Sequence, residues 1–299
     1  RQHSDRMSAL ALSSAPQTHP RSAPSRENLE PSSSALTSQE FPRVQYNEVM
    51  SAPQARLQFL EHVYARGICI VEGVPGAEGE VKRFAEHAIG VPVSHTLLYG
   101  DVFDVCDKPD PMNIAYTSLE LKPHQDLAYY ESPPGLQLLH CLRFDSSVRG
   151  GASTFLDVHH AAERLRNDDP DAFATLCRVP ATFQKEHMAR DFPVLMRYQR
   201  PHIALNAQGQ VTAVFWAPQF EGALCVPAED VAPYYNAYSA FERVLSDMPV
   251  LRHRMAVGEM VVFNNRTVLH GRDAFDSANG MGLRHFQGTY VNIDEFVCS

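Results

Sequence analysis

Apolar residues follow a helical spacing and then a strand pattern where the chain first becomes rich in large side chains. Leu57, Leu60 and Val63 recur every three residues, and Gly67 follows as a residue that can end a helix. The run ICIV at 68–71 is short, apolar and β-branched, which is typical of a buried strand. The pattern therefore predicts that the folded region opens with a helix followed by a strand.

The rest of the chain combines short strand patterns with a few helical ones. Strands are predicted at 135–144, 152–157, 181–186, 201–205, 211–216, 259–264 and 284–292. Helices are predicted at 80–89, 159–178 and 229–246. Many short strands with helices outside them favour a double-layered β fold over alternating βαβ units. We therefore predict an α+β, mainly β fold, with a double-stranded β-helix (jelly-roll) core and flanking helices.

Residues 1–45 differ from the rest because they are rich in Ser, Pro and Ala and contain few large apolar residues. Such a segment buries too little surface to offset the entropy of ordering, so we predict a disordered tail before one domain at 46–299. Arginines among the serines resemble an organelle transit peptide, but Asp5, Glu27 and the prolines oppose that interpretation. We expect a cytoplasmic protein, with the mitochondrion as the minor alternative.

Composition narrows the classes of partner. The formal net charge of -9 gives no attraction to phosphate backbones or anionic lipids, and no apolar run is long enough for a membrane helix. The six cysteines are scattered without a C-x-x-C pair, which favours reduced thiols over a disulfide frame or a thiolate zinc site. We expect a small-molecule partner, no nucleic acid and no membrane.

His124 and Asp126 are candidate metal ligands, because residues two apart on a strand point to the same face. His3 and Asp5 repeat this spacing in the tail, so spacing alone does not establish a site. A third ligand is needed, and His270 follows a strongly apolar β run, where we expect a strand end. Two histidines and one carboxylate are the ligand set of Fe(II) oxygenases, which keep positions open for other ligands.

Arg284 is a candidate anion-binding residue, fourteen positions after His270. A guanidinium among apolar and aromatic strand neighbours needs an anionic partner, because burying it unpaired is costly. A dicarboxylate co-substrate satisfies that need. A salt bridge to an Asp or Glu of the same sheet is the structural alternative.

Six motifs occur in an order that resembles the Fe(II)- and 2-oxoglutarate-dependent dioxygenases of the TauD/TfdA family, in the γ-butyrobetaine and trimethyllysine dioxygenase branch. They are YGDVFDV at 99–105, NIAYTSLELKPHQD at 113–126, PPGLQLLHC at 133–141, GGASTFLDVHHAA at 150–162, VLHGRDAF at 268–275 and LRHFQGTYVNID at 283–294. Each motif is weak alone, and the ordered set is specific.

The resemblance implies roles for these residues. His124, Asp126 and His270 match the family's iron ligands, and Arg284 matches the arginine that pairs with the distal carboxylate of 2-oxoglutarate. Ser153 matches a hydroxyl position beside that carboxylate, and Asn113 matches a position that helps hold the co-substrate. The alternatives are that Ser153 shapes a turn and that Asn113 caps a loop. The implied cofactors are Fe(II), 2-oxoglutarate and O2.

The resemblance also implies a substrate site, formed by an aromatic cage for a trimethylammonium group. Tyr99, Phe103, Tyr116 and Tyr290 match the cage positions, although Phe103 replaces a tryptophan usual in γ-butyrobetaine dioxygenases. The alternative is that these rings only pack the core. At 215–218 the animal enzymes have an Asn-rich segment that receives the substrate carboxylate, and here the residues are apolar or proline.

Three hypotheses follow for the function. The first is a γ-butyrobetaine dioxygenase-like hydroxylase, and the second is a tailoring oxygenase of secondary metabolism that hydroxylates, desaturates or closes a ring. The third is a non-catalytic barrel that binds a metabolite. The N-terminal zinc-binding module of the related enzymes has no counterpart in residues 1–45, which leaves the oligomeric state open, with a homodimer as one option.

Overall fold

The computed structural model describes residues 41–106, 117–188, 193–277 and 283–298, which combine helices and strands. The helices are α1 (Tyr46–Ser51), α2 (Pro53–Arg66), α3 (Glu80–Ala88), α4 (Val158–Asp168), α5 (Pro170–Arg178), α6 (Ala228–Asp247) and α7 (Ile293–Cys298), with a short 3-10 helix at Pro218–Phe220. None of the helices in these ranges is long and apolar enough to cross a membrane.

Sixteen strands occur in the same ranges. They are β1 (Arg43–Gln45), β2 (Ile68–Glu72), β3 (Phe103–Cys106), β4 (Leu121–His124), β5 (Leu136–Phe144), β6 (Val148–Gly150), β7 (Ser153–Asp157), β8 (Pro180–His187), β9 (Val194–Pro201), β10 (Ile203–Leu205), β11 (Val211–Val214), β12 (Leu251–His253), β13 (Met260–Asn264), β14 (Val268–Arg272), β15 (Phe275–Ser277) and β16 (Arg284–Val291).

Two sheets contain most of these strands. The larger sheet has the order β1-β2-β13-β5-β16-β3, and the smaller has the order β12-β7-β14-β4. The pairs β10-β11, β15-β6 and β8-β9 form three two-stranded sheets. All pairings are antiparallel except that of β1 with β2.

The core lies between the two main sheets and under the helices. Phe155 of β7 and Phe263 of β13 meet edge to face, with ring centroids 5.5 Å apart, so the sheets face each other across an apolar layer. A second apolar cluster joins α1, α2 and α3 to the larger sheet. A third cluster lies beneath α4, α5 and α6 and extends to the strands β8 to β11.

Most sequence-predicted elements are present, with two informative differences. The helix predicted before Gly67 is α2, and Gly67 ends it in the left-handed conformation with φ 74°. The helix predicted at 159–178 is two helices, because Asp169 caps α5 through the amide of Ala172 and Pro170 cannot continue α4. Strand β1 also places folded residues slightly before the predicted domain start at 46.

Gly271 permits the close approach of β4 and β7 to β14. A Cβ atom at this position would clash with the carbonyl oxygen of Leu121 and lie 2.7 Å from Oγ1 of Thr154. Because both obstacles belong to neighbouring strands of the same sheet, only glycine fits here without moving a strand.

We predict that Gly271→Ala lowers the free energy of unfolding by about 1–3 kcal/mol, the usual cost of overpacking a core. Urea unfolding monitored by circular dichroism measures this change. Gly76→Ala is the matched control, since a Cβ added at Gly76 meets nothing within 4 Å. Equal stability of the two variants would contradict the role given to Gly271.

Candidate active site

Three potential metal ligands converge at the junction of β4 and β14. His270 of β14 lies opposite His124 of β4 in the antiparallel register, and their ring centroids are 4.4 Å apart. Nε2 of His124 is 3.4 Å from Oδ1 of Asp126, and Nε2 of His270 is 3.7 Å from Oδ2 of Asp126. One ligating atom from each residue lies within 4.8 Å of the others.

The local structure of two ligands differs from the sequence prediction. Strand β4 ends at His124, so Asp126 lies in the following turn and not on the same strand. Leu127 comes next with φ 58°, a left-handed conformation that is uncommon for a leucine. His270 lies in the middle of β14 and not at a strand end. The turn, and not strand alternation, brings the carboxylate back beside His124.

The protonation states suit metal binding. Nδ1 of His124 is 2.9 Å from the carbonyl oxygen of Lys122, and a carbonyl can only accept, so Nδ1 is the donor and Nε2 is the nitrogen that faces Asp126. Burial, followed by the adjacent His124, lowers the pKa of His270 to about 3, which keeps its ring neutral at pH 7. Burial alone would raise the pKa of Asp126, but the two histidines and Tyr290 outweigh it and hold that pKa below its usual range.

Neighbouring residues hold Asp126 in place. Asn265 is 1% exposed; its Oδ1 accepts from the amide of Asp126 at 3.0 Å, and its Nδ2 donates to the carbonyl of Asp126 at 3.1 Å. The hydroxyl of Tyr290 donates to Oδ2 of Asp126 at 2.8 Å. Two imidazoles and one supported, ionised carboxylate fit a divalent iron ion in the arrangement of two histidines and one acid.

The three ligands open on a cavity with an empty volume of about 710 Å³, which includes open solvent at its mouth. Arg284, Ser153 and Arg272 line the same cavity, as do Tyr99, Phe103 and Tyr290. The structure therefore brings together every sequence-predicted site residue that it describes. Asn113 and Tyr116 lie outside the described residues.

Arg284 is a buried cation beside this cavity. It is 7% exposed, and its guanidinium carbon lies 4.0 Å from the ring centre of Phe286. Within the described ranges, no Asp or Glu forms a salt bridge with Arg284, and its Nε has no hydrogen-bond partner. Burial, then the neighbouring Arg272, lowers the pKa of Arg284 below the ordinary arginine value. Such a group fits a carboxylate ligand, and the alternative of a salt bridge within the sheet is not seen among these residues.

Three of the four predicted cage residues form one continuous wall. The rings of Tyr99 and Phe103 have centroids 5.4 Å apart, and Phe103 stacks on Tyr290 at 5.0 Å with an interplanar angle of 26°. The absence of a side chain at Gly288 permits this stack, because a Cβ there would lie 2.6 Å from Cε2 of Phe103. One face of Tyr290 is therefore covered by Phe103.

The apolar segment 215–217 belongs to the core. Trp216 is 4% exposed and stacks on Tyr238 with centroids 4.5 Å apart, while its carbonyl accepts from the amide of Gln125 at 2.8 Å. Beyond Pro218, the side chains of Gln219 and Phe220 line the cavity. This segment thus supports the turn that carries Asp126 and supplies a short part of the cavity wall.

Sequence analysis missed several residues of the site. Arg272 lies two residues after His270 on β14, so strand alternation could have identified it, and it donates to the carbonyls of Thr117 and Leu119, both at 2.6 Å. Gln137 interrupts the apolar run of β5; it is 2% exposed and lines the cavity, and none of the described residues bonds to its Oε1. Asn265 gave no sequence signal, because only the tertiary structure brings it to Asp126.

Comparison with known proteins identifies relatives of the chain. The model of the family described as "Taurine catabolism dioxygenase TauD, TfdA family" matches residues 27–290. A gamma-butyrobetaine dioxygenase of Pseudomonas sp. (strain AK-1) is 35% identical over 258 residues, which cover 86% of this chain and 64% of that protein. Dioxygenase str8 of Strobilurus tenacellus is 32% identical over 247 residues, which cover 81% of this chain and 56% of that protein.

Solved structures agree with these relatives at the level of the fold. A non-heme iron oxygenase, OrfP, crystallised with Fe and alpha-ketoglutaric acid, superimposes with a TM-score of 0.60 at 15% identity, covering 85% of this chain and 94% of that one. The chain spans less than two thirds of the length of the two sequence relatives. Because the family model matches most of its residues, the chain belongs to the TauD/TfdA dioxygenase family.

Proposed function

We propose that the protein is an Fe(II)- and 2-oxoglutarate-dependent oxygenase that oxidises an unactivated C–H bond of a small metabolite. The observation that carries this proposal is that His124, Asp126 and His270 open on the same cavity as the buried guanidinium of Arg284, which forms no salt bridge within the described part of the chain. The names of the two sequence relatives support it. We also propose that the two facing sheets are the walls of a double-stranded β-helix, which the antiparallel strand order supports.

The protein's contribution to the reaction is to bind and to orient. His124, Asp126 and His270 would hold the iron, and their placement on one side would leave other positions facing the cavity. Iron held there would supply the redox chemistry that couples O2 reduction and the oxidative decarboxylation of 2-oxoglutarate, to succinate and CO2, to the two-electron oxidation of a substrate C–H bond. The rings of Tyr99, Phe103 and Tyr290 give the cavity an apolar wall, and no side chain is required as a general base.

Arg284 would bind the distal carboxylate of 2-oxoglutarate. Its charge lies in an aromatic environment where a carboxylate partner relieves the cost of burial. Ser153 lines the same cavity, and we propose that its hydroxyl contributes to this carboxylate site. We keep Asn113 as a further proposed co-substrate contact on the basis of its motif.

The substrate would lie against the wall formed by Tyr99, Phe103 and Tyr290, with Tyr116 as a proposed fourth contact. A trimethylammonium substrate fits this wall through cation-π attraction, as in a γ-butyrobetaine dioxygenase-like enzyme. The 215–217 segment is apolar and buried, and it stands where the animal enzymes have the Asn-rich segment that receives the substrate carboxylate. This favours a second candidate substrate, a metabolite without the carboxylate of γ-butyrobetaine. We further propose a cytoplasmic location; the cysteines in the described ranges are free thiols, which is consistent with this.

We predict that His270→Ala abolishes succinate formation from 2-oxoglutarate in the presence of Fe(II), O2 and an accepted substrate. The substitution removes one of three ligands and should weaken Fe(II) binding at least tenfold. The exposed residue His160 on α4 provides the control variant His160→Ala, which should retain activity. Undiminished turnover in His270→Ala would reject the proposed function.

We predict that Arg284→Met raises the Kd of 2-oxoglutarate about 30-fold or more, because removing one partner of a buried charged pair costs roughly 2–5 kcal/mol. Arg284→Lys keeps the charge but loses the planar fork, and should give an intermediate value. Anaerobic calorimetric titration of the metal-loaded protein measures both. An unchanged Kd in Arg284→Met would place the co-substrate elsewhere.

We predict that Phe103→Leu weakens the binding of a trimethylammonium substrate by about 2- to 30-fold, which corresponds to the loss of roughly 0.5–2 kcal/mol of cation-π attraction. Succinate release stimulated by γ-butyrobetaine and trimethyllysine is the measurement, with apolar metabolites and free amino acids tested in parallel. No stimulation of the wild-type protein by any quaternary amine would select the second candidate substrate class.

A further inference from the structure

Tyr290 makes a contact that its position in the aromatic wall does not require. Its side chain is 2% exposed, and its hydroxyl donates to Oδ2 of Asp126 at 2.8 Å. The phenol is the donor because an ionised carboxylate can only accept. We propose that Tyr290 is a positioning residue of the metal site, which holds the carboxylate of Asp126 in its ligating orientation. This inference rests on the proposed Fe(II) function.

The bond from Tyr290 restricts the rotation of the Asp126 carboxylate, which the bonds from Asn265 do not restrict. The two bonds between Asn265 and Asp126 both involve the main chain of Asp126, so Asn265 fixes that backbone and not the rotation of the carboxylate. The carboxylate otherwise faces Nε2 of His124 and Nε2 of His270. Those two nitrogens are the ones that would ligate a metal, and a lone pair committed to a metal cannot also orient a carboxylate. Among the residues that the structure describes, Tyr290 is then the side-chain donor that remains for Oδ2.

Tyr290 is itself held rigidly enough to perform this role. Phe103 stacks on its ring at 5.0 Å, and Gly288, two residues earlier on β16, leaves the space that Phe103 occupies. In the sheet register, Tyr290 pairs with Gln137 of β5, which lines the same cavity. A donor fixed by packing can preorganise a metal ligand before the metal arrives. Tyr290 therefore belongs to the aromatic wall through its ring and contacts the proposed metal ligand Asp126 through its hydroxyl.

A purely wall-forming role for Tyr290 predicts something different. In that case only the ring matters, and removing the hydroxyl changes nothing at the metal. Tyr290→Phe separates the two roles, because it keeps the ring and its stack on Phe103 and deletes only the oxygen bonded to Asp126.

The experiment measures metal affinity of the full chain without turnover. Wild type and Tyr290→Phe are titrated anaerobically with Fe(II), and with Mn(II) as an air-stable probe, by calorimetry. We expect the Kd of either metal to rise about 10- to 100-fold in Tyr290→Phe, the usual effect of removing a hydrogen-bond partner of a metal ligand. Circular dichroism checks that the variant is folded.

Tyr234→Phe is the matched control. Tyr234 is 3% exposed, and its hydroxyl bonds to Nε2 of His202 at 2.9 Å in the core, so this variant also removes one bonded hydroxyl from a buried ring. Its metal Kd should equal that of wild type. An unchanged Kd in Tyr290→Phe, or an equal rise in both variants, would overturn the inference.

A second measurement needs no metal. In metal-free protein, Tyr290→Phe should lower the Tm of the wild-type background more than that of the Asp126→Asn background, where the charged acceptor is already lost. Equal losses in the two backgrounds would also overturn the inference. If wild-type protein binds neither Fe(II) nor Mn(II), the proposed function fails first, and the two failures are thereby distinguished.

Discussion

The antiparallel pairing of β4 with β14 is the constraint on which the site depends. It places His270 opposite His124, although the two residues are far apart in the chain. Gly271 permits this approach, because a side chain there would meet the backbone of β4 and the side chain of Thr154 on β7. The turn after His124 then returns Asp126 to the same point, fixed by Asn265 from the segment between β13 and β14. A shift of β4 against β14 by one residue would turn one histidine away from the other.

The cavity is lined by groups of opposite charge. The carboxylate of Asp126 stands beside His124 and His270, and the buried guanidinium of Arg284, with Arg272 nearby, lines the same cavity. A buried cation without a partner in the described part of the chain is unfavourable by itself. The dicarboxylate proposed as the partner of Arg284 would remove that cost.

Local sequence patterns account for much of the fold and for part of the site. The apolar periodicity predicts α2, α3, α6 and the long strands, because each buries a regular face. The short strands β4, β6, β12 and β15 have too few residues to show a period, and they form because partner strands are nearby. The sequence predicts His124 and Asp126 through their spacing, His270 and Arg284 through their apolar β surroundings, and all four through the ordered family motifs. The contacts that Asn265 and the Tyr290 hydroxyl make with Asp126 could not be predicted from the sequence. They form only when the turn at Asp126 packs against β16 and the segment after β13.

The central claim is that His124, Asp126 and His270 ligate one iron ion. Crystals grown or soaked anaerobically with Fe(II) and 2-oxoglutarate, with anomalous scattering recorded on both sides of the iron absorption edge, test it most directly. We expect one iron peak per chain within bonding distance of Nε2 of His124, a carboxylate oxygen of Asp126 and Nε2 of His270. An iron peak elsewhere in well-occupied crystals, or a peak that touches only one of the three residues, would contradict it.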